Sequence, residues 1–214
     1  IRGKRVLVTS GPTREWLDPV RFISNPSSGK MGCALAQEAL CRGAEVTIVT
    51  GPTAERPPWR AEVVPVETTE EMLQAVVARH EDCDVIIGAA APADFRPVQR
   101  SEHKVKKQDA TRALDLEATP DILAATASRD SRRVYVGFAA ETQETEKHAL
   151  EKLERKHLDL IVANDVSAAG SGFAGDTNEV TIYSRREQPV HVGCCSKREV
   201  AVHVWDAIER CVHR

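Results

Sequence analysis

Five short apolar runs rich in β-branched residues recur along the chain, separated by stretches with helical spacing. They are Arg5–Ser10 (RVLVTS), Glu45–Thr50 (EVTIVT), Asp84–Ala89 (DVIIGA), Arg133–Phe138 (RVYVGF) and Asp159–Asn164 (DLIVAN). Consecutive rather than alternating apolar positions mark strands buried on both faces. Strands with helices between them require crossover connections, and these give a mostly parallel sheet covered by helices on both sides. The expected fold is therefore a Rossmann-like α/β sheet.

The helical stretches carry their own punctuation. Met31–Arg42 places Met31, Leu35, Ala39 and Leu40 near one face, and Gly43 stands where a helix stops. Val63–Val66 reads as a short strand; Thr69 then caps a helix running to Arg79, with Glu70 and Glu71 in its first turn. Pro120–Ser128 and Thr142–His157 are helical, as is Lys197–Val212. Two regions break the rhythm. Phe95–Glu117 is polar and basic with a weak strand at Ala113–Glu117, and Glu179–Ser184 with Pro189–Val192 reads as an antiparallel hairpin. With no repeat or linker in sight, residues 1–214 are expected to form one domain.

Composition narrows the classes. The formal charge is −3, with 42% hydrophobic and 29% charged residues, which suits a globular protein and argues against a surface built to coat nucleic acid or anionic lipid. The longest apolar stretch, Val85–Ala93, contains Gly88 and Pro92 and is too short to span a bilayer. The opening has no charged-then-apolar leader, and a start at Ile1 suggests that an upstream segment was removed. Cys33, Cys41, Cys83, Cys194, Cys195 and Cys211 form neither C-x-x-C pairs nor zinc spacing. Reduced thiols in a cytoplasmic protein are the expectation.

In an open parallel sheet, ligands bind beyond the carboxyl ends of the strands. Small residues crowd those ends here: Gly11-Pro12-Thr13, Gly51-Pro52-Thr53, Gly88-Ala89-Ala90-Ala91 before Asp94, and Gly137-Phe138-Ala139. The first loop lacks G-x-G-x-x-G. Its Gly29-Lys30 looks like the end of a P-loop, but Ser24 replaces the first glycine and Met31 the magnesium-binding hydroxyl. What remains is Ser27-Ser28-Gly29 feeding a helix N-terminus, which suits phosphate or carboxylate, with Arg21 and Asn25 in the same loop. A serine that merely caps its own helix is the competing reading. In Lys104-Val105-Lys106-Lys107, extended backbone would put Lys104 and Lys106 on one face, fit to neutralise a polyphosphate, unless the run is a solvated edge. Lys152 and Lys156 share a helix face, though Glu151 and Glu154 would also suit a plain surface stripe. No histidine spacing suggests a metal site or triad, and G-x-S-x-G is absent.

The ordered motifs TSGPTRE, DPVRFISNPSSGKMG, AAAPADFR, KVKK, TPDIL, GFAAET and LDLIVANDV strongly resemble phosphopantothenoylcysteine synthetase. That ligase of coenzyme A biosynthesis is usually the C-terminal half of a bacterial protein carrying a flavin-dependent decarboxylase. The resemblance implies activation of 4′-phosphopantothenate by CTP to an acyl-cytidylate, then coupling to L-cysteine with release of CMP. It implies that Asn25 holds the acyl group, helped by Arg21 and the Ala91 backbone, and that Lys104 binds the triphosphate. It assigns CTP to Gly88, Ala89, Ala90, Asp94, Pro120, Asp121, Ile122, Leu123, Phe138, Lys152 and Lys156, with Gly11, Thr13, Ser27, Ser28 and Gly29 forming the phosphate loop. Magnesium accompanies the triphosphate with no protein ligand assigned. A homodimer is implied, formed by strands outside the nucleotide fold. Pro26, polar in some relatives, stiffens the loop without removing the Asn25 side chain. A nicotinamide-dependent reductase and a non-catalytic nucleotide-binding module are the alternatives.

Overall fold

The computed structural model describes residues 1–106, 113–128, 132–141, 145–165 and 175–212. Lys107, Thr142 and Val166, part of the motifs above, lie outside them. In chain order the strands are β1 (Arg5–Ser10), β2 (Glu15–Trp16), β3 (Phe22–Ile23), β4 (Glu45–Thr50), β5 (Glu62–Pro65), β6 (Val85–Gly88), β7 (Phe95–Pro97), β8 (Leu116–Ala118), β9 (Val134–Glu141), β10 (Leu160–Asp165), β11 (Thr177–Ser184) and β12 (Val190–Ser196). The α-helices are α1 (Lys30–Cys41), α2 (Thr69–Val77), α3 (Ile122–Thr126), α4 (Thr145–Arg155) and α5 (Lys197–Val212).

Eight strands form the main sheet in the order β12-β11-β10-β9-β6-β1-β4-β5. From β5 to β10 all neighbours are parallel, and the order reverses at β1, between β4 and β6. This is the doubly wound arrangement expected from the sequence, with its crevice at the reversal. The hairpin β11–β12 extends the same sheet, β11 running antiparallel to β10. Two small antiparallel sheets, β2–β3 and β7–β8, stand outside it.

One face of the sheet packs against α1 and α5, the other against α2, α3 and α4. α1 starts at Gly29, whose φ of 77° is left-handed, and ends before Gly43 at φ 86°, as the stop signal implied. Trp205 is fully buried between α1 and α5, and its indole N–H donates to the Leu35 carbonyl at 2.9 Å. Replacing Trp205 with alanine should remove roughly 3–5 kcal/mol of stability. A loss below about 1 kcal/mol in denaturant melts would show that the α1–α5 seam is not central to the core.

Boundaries differ where side-chain chemistry acts locally. Thr68, not Thr69, caps α2, accepting from the Glu71 N–H. Thr69 is instead buried, its hydroxyl and N–H both donating to Glu15 at 2.8 Å. The weak strand moves to Leu116–Ala118 because its partner is Phe95–Pro97, a segment without strand pattern.

Candidate active site

A cavity of about 940 Å³ opens over the carboxyl ends of β1, β6, β9 and β10. Its depth depends on glycine. A Cβ on Gly88 would sit 2.6 Å from a Leu123 methyl, and one on Gly32 would lie 2.4 Å from the Ser10 hydroxyl. Larger residues would push α3 or α1 off the strand ends. Most residues singled out in the sequence meet in this cavity: Asn25, Ser27, Ser28, Gly29, Gly88, Ala89, Ala90, Ala91, Asp94, Pro120, Asp121, Ile122, Leu123, Phe138, Lys152 and Lys156.

The first loop supplies one wall. Asn25 is half-buried, and its Nδ2 donates to the Pro92 carbonyl at 2.9 Å and the Ala91 carbonyl at 3.4 Å. Ala91 in turn donates its N–H to the Gly11 carbonyl at 3.0 Å, so its backbone anchors both loops. No side chain caps α1. The N-cap is Gly29, held by the Ser10 hydroxyl donating to its carbonyl, so neither Ser27 nor Ser28 has the capping role. The first turn, Lys30 to Gly32, therefore faces the cavity as an uncapped N-terminus, a natural cradle for an anion.

The opposite wall comes from α3 and α4. Asp121 caps α3 through Oδ1, accepting from the Ala124 N–H at 3.1 Å, and its Oδ2 pairs with Lys156 at 2.9 Å. Lys152 and Lys156 thus line the cavity rather than a plain surface stripe. Phe138 offers a half-buried ring from β9.

Four residues from the sequence reading stand outside this wall: Gly11, Thr13, Arg21 and Lys104. Gly11 takes a left-handed turn at φ 74°. Thr13 is buried beneath the site, accepting from the Ala93 N–H at 2.9 Å and bonding Thr69 Oγ1 at 2.8 Å. Both hold the loops rather than face the cavity. Arg21 joins Asp18 in a clamp: its Nε donates to Asp18 Oδ2 at 3.0 Å, and its Nη2 to the Val105 carbonyl at 2.8 Å. The Val105 N–H donates back to Asp18 Oδ2 at 3.2 Å. The Arg21 guanidinium holds the buried Asp18 carboxyl well below the usual carboxylate range, with the Val20, Arg21 and Val105 N–H groups acting the same way. As the alternation implied, Val105 is half-buried while Lys104 and Lys106 are exposed.

The wall also holds Lys30, Asn178 and Lys197, to which the sequence assigns no role, and Asn164, the strand-end residue within LDLIVANDV. Lys30 stands beside Gly29 in the incomplete P-loop pattern, while Asn178 lies on β11 and Lys197 opens α5, segments that carry no nucleotide motif. Among the described residues no three His, Cys, Asp or Glu side chains could cage a metal, and the acidic groups on the wall are Asp94 and Asp121. Among the described residues no helix is long and apolar enough to cross a membrane.

The DNA/pantothenate metabolism flavoprotein C-terminal domain matches residues 1–212. The coenzyme A biosynthesis bifunctional protein CoaBC of Bacillus subtilis is 44% identical over 209 residues, covering 97% of this chain and 52% of that protein. The Escherichia coli (strain K12) CoaBC is 47% identical over 188 residues, or 86% of this chain and 46% of that one. The chain thus spans about half the length of these curated relatives. A crystal structure of the C-terminal domain of CoaBC superposes with TM-score 0.85 at 41% identity, covering 100% of this chain and 99% of that one. With the doubly wound sheet, the cavity at its reversal and these likenesses together, the chain belongs to the DNA/pantothenate metabolism flavoprotein C-terminal domain family.

Proposed function

We propose that this chain is a phosphopantothenate–cysteine ligase unit of coenzyme A biosynthesis that uses CTP. One observation carries the reading: the asparagine-bearing turn, the uncapped α1 N-terminus and the α3–α4 wall all face one cavity. Activating a carboxylate through a nucleotide needs that combination. The acid's oxygen attacks the α-phosphorus of CTP and expels pyrophosphate. The cysteine nitrogen then attacks the acyl carbon, CMP departs with the bonding electrons, and the nitrogen sheds a proton to solvent.

In this reading Phe138, Lys152, Lys156 and Pro120–Leu123 hold the nucleotide, and the α1 N–H groups receive phosphate oxygens. Asn25 donates to the acyl oxygen, with Arg21 near the acid substrate. Magnesium enters with the triphosphate as part of the substrate, its positive charge balanced by the phosphates and, at most, Asp94 or Asp121. A cytoplasmic location and fusion to a decarboxylase, as in CoaBC, complete the proposal. A nicotinamide reductase is disfavoured by the loop between β1 and α1, which has no G-x-G-x-x-G, and by the relatives' names.

Lys104, with Arg21 bound beside it at the Val105 carbonyl, is the residue whose place needs a second subunit. It stands outside the wall of its own cavity, while the small sheets nearby expose Phe22, Phe95 and Leu116. A homodimer joined there would let each arm serve its partner. Mixed Asn25→Ala and Lys104→Gln dimers should then regain activity that neither parent has, and failure to complement would confine the arm to its own subunit. The whole reading is tested by product formation from 4′-phosphopantothenate and cysteine with each of the four nucleoside triphosphates. CTP is expected to be preferred, and no product with any of them would end the ligase proposal.

A further inference from the structure

The cavity has a corner whose side chains carry no role in the reading above. It lies where the first turns of α1 and α5 meet the start of β11. Along β11, Asn178, Val180 and Ile182 point to the same face, and the two aliphatic residues belong to the core beneath α1 and α5. Asn178 therefore puts a carboxamide at the end of an apolar row. It is only 6% exposed, it lines the cavity, and its Oδ1 has no hydrogen-bond partner among the described residues. A buried acceptor is normally satisfied. Here the missing partner is a donor.

The charges beside it are equally out of place. Lys30 and Lys197 are each the first residue of a helix, where the dipole disfavours a cation. Lys197 is only 7% exposed, and its ammonium lies close enough to Lys30 for the two to repel. Burial, with Lys30 adding to it, pushes the Lys197 ammonium below the ordinary lysine range. Asp176 and Glu55 act against this repulsion: the Asp176 carboxylate takes Lys30 Nζ at 2.6 Å, and both carboxylates lie near enough to favour the charged form of each lysine. The corner thus combines two ammonium groups with an acceptor awaiting a donor. A fully ionised phosphate supplies anionic oxygens but no donor. A free α-amino acid supplies both, a carboxylate for the lysines and an amine for Asn178.

We propose that the corner formed by Asn178, Lys197 and Lys30 is the subsite for the α-amino acid substrate, L-cysteine, with the carboxylate on the lysines and the amine on Asn178 Oδ1. The assignment rests on the ligase reading and extends it, because the first half-reaction involves no amino acid. An amine held by a neutral acceptor stays available to lose its proton and attack, whereas a carboxylate partner would keep it protonated.

The test uses the separability of the two steps. In Asn178→Ala and Lys197→Gln, the KM for cysteine should rise about tenfold or more, while pyrophosphate release from CTP and 4′-phosphopantothenate alone keeps its wild-type CTP KM. Lys197→Arg retains the charge and should stay within about threefold of the wild-type cysteine KM. Asn178→Ser, with a smaller change in polarity, guards against a folding defect, and thermal melts of each variant check it. A raised CTP KM with an unaltered cysteine KM would give the corner to the phosphate chain and overturn the assignment. Wild-type values for both would overturn it too. Should the wild-type protein release no pyrophosphate from the two substrates, the ligase reading itself fails and takes this subsite with it, an outcome visible before any variant is made.

Discussion

Replacing Asn25 with alanine is expected to lower turnover roughly 10²–10³-fold, the usual cost of losing one donor aimed at a developing oxyanion. The carboxamide is already oriented for the task. Its Nδ2 makes a well-formed bond to the Pro92 carbonyl at 2.9 Å and a long one to the Ala91 carbonyl at 3.4 Å. The long contact is easily exchanged for an acyl oxygen, while the short one keeps the plane fixed, so the donor needs little reorganisation. Because the group is half-buried, water can reach the carbonyls it leaves, and the stability loss should stay near 1 kcal/mol. Asn25→Asp sharpens the test. It keeps the shape but sets an acceptor against two carbonyls, so it should be at least as inactive. Near-normal turnover of Asn25→Ala at saturating substrates would remove this residue from the chemistry.

What could be read from the sequence, and what could not, follows from how local each signal is. β1, β4 and α5 have the expected ends because a buried parallel strand or an amphipathic helix is written in consecutive residues. The Gly43 stop is likewise local, since only the backbone at that position matters. β7 had no such signal: Phe95–Pro97 is a strand only because Leu116–Ala118 lies beside it. The site divides in the same way. Gly88–Ala91 could be singled out because they follow a strand that the sequence marks, Ser27–Gly29 because they feed a helix start, and Asn25 because it shares that loop and the family motif. Lys30, Asn178 and Lys197 could not, because they come from three distant segments and meet only after α5 has folded back onto α1. Thr13 and Gly11 show the converse. Their positions beside the site suggested ligand contact, yet in the folded chain they hold the loops together.

The lysine arm is the harder case, and Asp18 decides it. Lys104→Gln should suppress pyrophosphate release from CTP and 4′-phosphopantothenate by roughly 10²-fold, because a cation near the phosphates acts while their charge is rearranging. Asp18→Ala should produce much the same loss without touching any lysine. Asp18 accepts from the N–H groups of Val20, Arg21 and Val105 and pairs with the Arg21 guanidinium, which itself donates to the Val105 carbonyl. Without that carboxylate, both bonds that fix Val105 lose their anchor, and Lys104 loses its defined position. Hydrogen exchange at the Val105 amide should therefore accelerate at least about tenfold in Asp18→Ala and remain at the wild-type rate in Lys104→Gln. The pH dependence has a definite sign. Arg21 lowers the Asp18 pKa in the folded chain, so the stability the pair contributes is present above the ordinary carboxylate value and is lost only as pH falls through the lowered one. Val105 should accordingly stay protected through the mildly acid range in the wild type. If Asp18→Ala frees the Val105 amide and yet pyrophosphate release continues at the wild-type rate, the position of the arm does not matter to the chemistry. Lys104 would then be a solvated surface charge.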